Sequence, residues 1–429
     1  MKLRRVLLAV ALIALHAWLI SMLAGGPADP FDGGGGASSD AAQTVHDFPD
    51  ARDLPPAGWS GPVFHLSQNY PLSMPASGDE PWLQYDFRTQ TVDYLGAILA
   101  YALDGNVAVD FQGQNNAVRT WYHAPWLHAN THKGREFIHG LTRERDSPPH
   151  SLAPTQSQPV ENWAVSMYNP AGGYVLGRVW ANRDAPDPTN ARFPVGTVAF
   201  KLIFTIATVA EVPLLKNDLE WQADINRATD AGPRPTLRLL QVDVAVRDSR
   251  ADATTGWVFG TFVYDGNAPG ASAWDRLVPL GAMWGNDPQQ LGTNGPLTQT
   301  VVNPAARGLV QHLGYEGRLN GPIDNPASSC LSCHSMAQVT PDLSQPTLPA
   351  VPPAGASPAT IAQYFRNIPA GTPYTAGDES LDYSLQLQNG IANWAQATGV
   401  KFPPPAGPRG LEPRKLAPSE GVRITPIGR

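Results

Sequence analysis

The residues best suited to chemistry are two cysteines three positions apart, followed at once by a histidine. They occur as Cys330-Leu331-Ser332-Cys333-His334, and these are the only two cysteines among 429 residues. Cys-x-x-Cys-His is the attachment pattern of c-type haem. Two thiols at this spacing can bond to the two vinyl groups along one porphyrin edge, and the adjoining imidazole can reach the iron. The motif predicts one covalent haem c on Cys330 and Cys333, with His334 as the proximal iron ligand.

Three other uses of the cysteine pair are weaker alternatives: a zinc site, a redox dithiol and a disulfide. A structural zinc site usually takes four Cys or His ligands from two separate pairs. No second cysteine pair exists in this sequence. The histidine directly after Cys333 favours haem over all three.

The N-terminal segment has the layout of an export signal. Three positive charges among residues 1–5 precede an apolar run from Val6 to Ala24. As a helix this run would be about 28 Å long, close to the thickness of a bilayer core. Cleavage and retention as an inner-membrane anchor both remain open. In either case the body of the protein is expected in the periplasm, where haem c is attached.

The composition predicts a globular protein with a large core. The chain contains 42% hydrophobic residues and 12 tryptophans, and its formal net charge is −7. Without a basic stripe, it gives no sign of binding nucleic acid. The expected partners are a redox partner protein in the periplasm or membrane and a small-molecule ligand.

Clusters of proline and glycine predict the boundaries of the domains. Residues 1–24 are the signal peptide or anchor, and residues 25–57 form a flexible linker. Residues 58–340 form the haem-binding domain. Residues 341–429 combine a proline-rich linker, two helices and an irregular tail.

The predicted fold class is α+β, with a mainly antiparallel β-sheet domain that carries the haem and helical N- and C-terminal portions. Strand-like segments are separated by turn signals, and residues 169–173 read as a hairpin loop. Helical periodicity is found at 91–103, 359–368 and 385–395. The predicted strands are Trp163 to Tyr168, Tyr174 to Trp180, Gly196 to Ala207, Thr236 to Val246, Gly256 to Tyr264 and Val278 to Trp284.

The sixth iron position can be closed only from upstream of the motif. No histidine follows His334, and the one later methionine, Met336, is tethered to the proximal side. Met283 and Met167 are candidate distal ligands, although methionine in an apolar strand more often fills a core. Without such a ligand, the site is open.

The order of segments resembles the β-sheet c-type cytochromes that include cytochrome P-460 and the beta-type cytochromes c-prime. A Phe-Pro-Val-Gly-Thr turn at 193–197 leads into an apolar strand with Lys201, a later strand runs from Trp257 to Phe262, and the haem motif follows. The likeness covers about residues 160–336. It implies a five-coordinate haem in a sheet pocket, with the open iron position used for small nitrogen or oxygen species. In cytochrome P-460 itself, a lysine is also bonded to the porphyrin.

The resemblance implies a periplasmic monohaem c-type oxidoreductase with an open distal site. The alternatives are an electron-transfer cytochrome with a six-coordinate haem and a gas-binding haem protein. Lys201 is the candidate catalytic residue. From its strand alone, it could be exposed, paired with Asp243 or placed in the haem pocket, and a porphyrin crosslink is a further alternative.

Several other side chains have weaker claims. His123 is a candidate distal ligand, and the spacing of His128 and His132 would suit a second metal, although a structural role is the simpler interpretation. His312 is expected at the surface or haem edge. Glu144 is interpreted first as a surface charge and only second as a general acid or base.

Overall fold

An antiparallel sheet forms the centre of this computed structural model. The structure describes residues 48, 55, 58–76, 78, 80–128, 134–225, 234–293, 295–343 and 350–399. The predicted signal peptide or anchor, almost all of the 25–57 linker, part of the 341–357 linker and the tail after Pro403 lie outside these residues.

Eight strands pair in the main sheet, in the order β1-β2-β3-β5-β6-β7-β8, with β4 also paired to β5. A further pair, β9 and β10, forms a separate two-stranded sheet. The strands are β1 (Thr142–Arg143), β2 (Asn162–Tyr168), β3 (Val198–Thr205), β4 (Glu220–Gln222), β5 (Thr236–Arg247), β6 (Trp257–Tyr264), β7 (Leu277–Met283), β8 (Thr300–Val302), β9 (Gln338–Val339) and β10 (Glu379–Ser380).

Period-two alternation made the main strands predictable. In β3, Val198, Phe200 and Leu202 are buried on one face, while Ala199 and Lys201 on the other face are half-buried. Five of the six predicted strands are confirmed, with ends that shift by at most two residues. The prediction of an antiparallel sheet combined with helices is confirmed with them.

The α-helices are α1 (Thr91–Leu103), α2 (Pro170–Val179), α3 (Cys330–His334), α4 (Pro358–Tyr364) and α5 (Leu385–Thr398). Helix α1 has the predicted bounds, α5 extends three residues beyond them, and α4 ends four residues before them. Short 3-10 turns occupy Pro81–Gln84, Val107–Val109, Gly113–Asn115, Pro188–Asn190, Pro213–Leu215, Ser249–Ala251, Trp274–Arg276, Pro288–Gln290, Arg307–Leu309 and Tyr315–Gly317.

The predicted strand from Tyr174 to Trp180 is wrong, because the segment is helix α2. Asn169 caps this helix, since its side chain accepts a hydrogen bond from the amide of Gly172, and Pro170 occupies the first turn. The glycines that suggested a hairpin loop allow close packing instead: a Cβ on Gly173 would lie 2.4 Å from the Tyr122 ring. Tertiary contact therefore outweighs the low helix propensity of glycine.

One face of the sheet packs against α1. Among the described residues, Thr91–Val109 is the one stretch long and apolar enough to cross a membrane. Its helical part instead buries Tyr94, Leu95 and Ile98 in the core. An ideal Cβ on Gly260 would lie 2.3 Å from Leu95, so the glycine lets the helix approach the sheet.

The opposite face packs against helices α2, α3 and α5. Phe259 and Met283 from the sheet share this second core with Leu331 of α3 and Leu387 and Ile391 of α5. Strand β10 pairs antiparallel with β9, just beyond α3. The C-terminal segment therefore lies against the sheet and the cysteine motif.

Candidate functional site

Helix α3 is a single turn that holds both cysteines. It begins with a capping box: Ser332 N donates to Ser329 Oγ over 3.0 Å, and Ser329 N donates to Ser332 Oγ over 2.8 Å. These bonds satisfy two backbone donors that a helix start leaves open. The serine between the cysteines thus has a structural role, and it fixes the turn that presents the two free thiols.

The loop before α3 is anchored through a buried arginine. Arg318 is fully buried, and its guanidinium donates to the backbone carbonyls of Asn286 and Asp287 at 2.7 and 2.9 Å. Ser329 Oγ also donates to Asn286 Oδ1 over 2.8 Å. The cysteine turn is therefore fixed to the segment that follows β7.

His334 is oriented by the C-terminal segment. Its Nδ1 lies 2.9 Å from the backbone carbonyl oxygen of Tyr383. A carbonyl can only accept, so this contact assigns the proton to Nδ1 and leaves the lone pair on Nε2. That is the tautomer with which histidine binds a metal through Nε2, with a carbonyl behind it.

The environment of His334 also keeps its ring neutral. Burial lowers the pKa of His334 to about 4, although the Tyr383 carbonyl acts in the opposite direction. The ring packs against Phe259, with 4.8 Å between ring centroids. At neutral pH the imidazole therefore carries no proton on Nε2.

Both cysteines are held as protonated thiols. Burial raises the pKa of Cys330 and, with a smaller contribution from Asp324, raises the pKa of Cys333 to about 12. Zinc ligands and reactive dithiols need the thiolate form, which a lowered pKa favours. The environment thus opposes the redox-dithiol alternative, whereas a zinc ion would itself deprotonate the thiols that bind it.

A row of polar side chains crosses the sheet next to the motif. Ser166, Lys201, Asp243 and Thr261 are register partners on four neighbouring strands. Thr261 donates to Asp243 over 2.9 Å, and its hydroxyl oxygen lies 4.0 Å from Cys330 Sγ. Since the single hydroxyl proton is directed to Asp243, the Cys330 thiol is the donor in the second contact.

Lys201 forms an ion pair within this row. Its Nζ lies 2.9 Å from Glu144 Oε2, and the two side chains are 32% and 26% exposed. Burial alone would lower the pKa of Lys201, but Glu144, Asp243 and Asp324 outweigh burial and raise it. Its positive charge partly offsets the effect of burial on the pKa of Cys333 and adds to the effect of burial on the pKa of His334.

Two sequence interpretations change with this geometry. Asp243 is the register partner of Lys201, but Glu144 makes the close ion pair. Glu144, interpreted first as a surface charge, is half-buried and paired with Lys201. The crosslink between Lys201 and a porphyrin stays a prediction.

A second carboxylate joins Asp243 beside Cys330. The buried Gln241 amide donates to both oxygens of Asp243 at 2.9 and 2.8 Å, and it lies 3.4 Å from Asp324 Oδ2. Burial and the neighbouring Asp324 raise the pKa of Asp243 to about 7, and burial raises the pKa of Asp324 as well. Two like charges so close in a buried site favour keeping one proton between them.

These residues fit a covalently held haem. The motif provides two neutral thiols on one helical turn and a neutral imidazole whose Nε2 is free of hydrogen bonds from the described residues. Across the described ranges, no group of three or more His, Cys, Asp or Glu side chains is arranged to hold a bare metal ion. Two thiols and one imidazole at this spacing are the donor set that thioether attachment with one axial histidine requires.

The candidate methionines lie on opposite faces of the sheet. Met167 is the register partner of Phe200 and belongs to the core beneath α1, on the face away from Lys201. Met283 pairs with Phe259, which contacts His334, and is fully buried in the second core. Of the two, Met283 alone shares the motif's side of the sheet.

The histidines lie in separate surroundings. His123 is buried against Phe64, and its Nδ1 accepts from Ser67 N over 3.1 Å. Its distal-ligand role stays a prediction that no contact with the motif supports. His312 is half-buried near Asp324, and its place at the surface or haem edge stays a prediction. His132, one of the two histidines whose spacing would suit a second metal, lies outside the described residues.

Sequence reasoning missed the groups that surround the motif. Tyr383 acts through its backbone carbonyl, and since every residue has one, the residue type gives no signal of this role. Asp324 could have been suspected from its position six residues before Cys330. Comparisons with protein-family models, curated proteins and solved structures found no match to this chain.

Proposed function

We propose that this chain is a periplasmic monohaem c-type protein, with haem on Cys330 and Cys333 and His334 as proximal ligand. The observation that carries this proposal is the His334 Nδ1 bond to the Tyr383 carbonyl, because it prepares Nε2 for a metal within the one motif that attaches haem c. The neutral, half-buried thiols of α3 support it.

We further propose a haem oxidoreductase with an open distal site that acts on a small nitrogen or oxygen species. Haem supplies an iron centre that exchanges electrons and binds small ligands. Lys201, paired with Glu144, can hold a proton beside the motif, and the Asp243–Asp324 pair can take up or release another. The resemblance to cytochrome P-460 and the beta-type cytochromes c-prime favours the same class.

The second candidate is an electron-transfer cytochrome with Met283 as the sixth ligand. Its support is the position of Met283, buried on the motif's face of the sheet beside Phe259. A gas-binding protein would share the open site but needs no proton-handling residues. In each case export through residues 6–24, with or without inner-membrane anchoring, and a periplasmic redox partner are part of the proposal.

The test begins with expression in a host that attaches haem c. The wild type is expected to gain the mass of one haem and to show a haem c spectrum after denaturation. The Cys330→Ser/Cys333→Ser double variant should contain no covalent haem. As a control, His312→Ala changes a histidine outside the motif and should bind haem normally. A wild type without covalent haem would contradict the proposal.

Spectra of the loaded protein then separate the candidates. Optical and electron paramagnetic resonance spectra would be recorded for the ferric and ferrous forms, with and without nitric oxide. High-spin spectra and ready binding of nitric oxide support the open site. Low-spin spectra with a sulfur-to-iron band and no nitric oxide binding would favour the Met283-ligated carrier.

A further inference from the structure

The turn that faces His334 has an unusual backbone. Asp382 and Tyr383 have φ values of 46° and 69°, and neither residue is glycine. The left-handed region is unfavourable for residues other than glycine, although aspartate tolerates it better than most. Two such residues in succession persist only where the surrounding structure over-determines them, which is typical of functional sites.

The carboxylate of Asp382 supplies much of that restraint. It is buried and accepts three hydrogen bonds: from Phe193 N at 2.8 Å, from Trp257 Nε1 at 3.0 Å and from Gly371 N at 3.0 Å. The three donors belong to a loop before β3, to β6 and to the C-terminal segment. Asp382 therefore joins three separate parts of the chain at this turn.

Tyr383 is held on both sides of its carbonyl group. Its hydroxyl donates to the Ile368 carbonyl over 2.5 Å, and its ring lies 6.2 Å from the Phe259 ring that also contacts His334. Just before the turn, Leu381 N donates to the Ala337 carbonyl over 2.9 Å. Contacts of Leu381 and of the Tyr383 side chain thus fix the direction of the Tyr383 carbonyl.

We propose that Asp382 is a positioning residue for His334: by fixing the strained 382–383 turn, it keeps the Tyr383 carbonyl on Nδ1 and so sets how strongly Nε2 donates to iron. This rests on the proposed haem c function. A carbonyl acceptor on Nδ1 increases the basicity of the ligating nitrogen. A more basic ligand favours the ferric over the ferrous state and lowers the reduction potential.

The experiment compares the loaded wild type with Asp382→Asn. The amide has nearly the same shape but can no longer accept from all three N–H donors. With haem content equal, we expect a lower iron–histidine stretching frequency in the resonance Raman spectrum of the ferrous form and a higher midpoint potential. The Raman band reports the histidine bond, which a merely structural role would leave unchanged.

Two further variants distinguish an effect of the hydrogen bonds of Asp382 from an effect of its charge and from a general loss of protein stability. Trp257→Phe removes one hydrogen-bond donor to Asp382 but leaves the negative charge of Asp382 in place. This variant should shift the Raman band and the midpoint potential in the same direction as Asp382→Asn, by a smaller amount. It also carries the test if Asp382→Asn does not accumulate. Asp248→Asn is the matched control, since Asp248 is equally buried but bonds Tyr94 and Arg250 on the other face of the sheet.

The outcomes distinguish this inference from the function on which it rests. Shifts in Asp382→Asn and Trp257→Phe, but not in Asp248→Asn, support it. If the wild type carries haem but both test variants have its Raman band and its midpoint potential, the positioning role alone is overturned. A wild type without covalent haem overturns the proposed function, and this inference with it.

Discussion

His334 and Tyr383 are 49 positions apart, yet Nδ1 of the first donates to the backbone carbonyl of the second over 2.9 Å. This bond makes residues 350–399 part of the candidate site. The sequence predicts only that residues 341–429 combine a proline-rich linker, two helices and an irregular tail. In the structure, residues of the 381–395 segment share a core with Leu331 of α3, and Tyr383 contributes the carbonyl that fixes the tautomer of the proposed iron ligand.

The Lys201–Glu144 pair should stabilise the fold only weakly. Both side chains are about a third exposed, so a double-mutant cycle with Lys201→Met and Glu144→Gln should give a coupling of roughly 0.5–1 kcal/mol in urea unfolding. The Arg238–Glu220 pair, at 2.7 Å between β5 and β4, is a comparable control. A coupling near that of a fully buried pair, about 3 kcal/mol or more, would show that this estimate is wrong.

The Asp243 carboxyl should make stability depend on pH. Its pKa is raised from 3.8 to about 7, so between these values the folded protein keeps a proton that the unfolded chain releases. The stability contributed by this group is therefore present at low pH and is lost as the pH rises through that window.

Asp243→Asn removes this titration while keeping a neutral side chain. Compared with the wild type, the variant should therefore be relatively more stable against unfolding at about pH 8 than at about pH 5. Urea unfolding at the two pH values measures this change, and the constant cost of altered hydrogen bonds cancels. Asp324→Asn should show the same trend, whereas a difference independent of pH would contradict the shared proton.

Met283→Leu tests the open site. Leucine conserves the volume of a fully buried methionine, so the substitution should cost less than about 1.5 kcal/mol of unfolding free energy. If the distal position is open, the optical and electron paramagnetic resonance spectra of the loaded protein stay unchanged. A change from low-spin to high-spin iron would identify Met283 as a ligand and favour the electron carrier. Met167→Leu, on the other face, is the control.

Asn169→Ala should be strongly destabilising for a helix-cap variant. Asn169 caps α2, and its side chain also accepts from Val198 N at 3.1 Å and donates to the Gly196 carbonyl at 2.9 Å. A lost cap costs about 1 kcal/mol, and buried backbone groups left unpaired add about 1–3 kcal/mol. Thermal or urea unfolding should show a larger loss than Ser357→Ala, which removes only the cap of α4. Equal losses would mean that the extra bonds contribute nothing.

Local patterns predicted the sheet and two of the helices well because each is governed by nearby residues. Alternation in β3 and the 3.6-residue period of α1 are direct consequences of backbone geometry. The pattern predicted a strand in place of helix α2 because the rings that fill the space beside Gly173 and Gly177, those of Tyr122 and Tyr70, come from distant segments. The glycines suggested a hairpin loop from local sequence, but they are explained by packing against residues distant in the sequence.

The candidate site was predictable only in the cysteine–histidine motif itself. The spacing of Cys330, Cys333 and His334 identifies the motif without any knowledge of the fold. Glu144 and Asp382 bear no such signature, since their importance depends on which residues the sheet and the C-terminal segment bring beside them. Even for Lys201, the strand pattern gave the face but not the ion-pair partner.

The packing of Tyr383 and α5 against the cysteine turn bears on how haem would be attached under the proposed function. The two thiols lie half-buried beside a core that α5 and the 381–384 turn complete. Under the proposed function, thioether bonds must form while both cysteines are still accessible, before these last elements dock. Maturation would then run from an open chain, through attachment, to closure by the C-terminal segment. The final residues to fold would be those that set the electronic character of the proximal ligand.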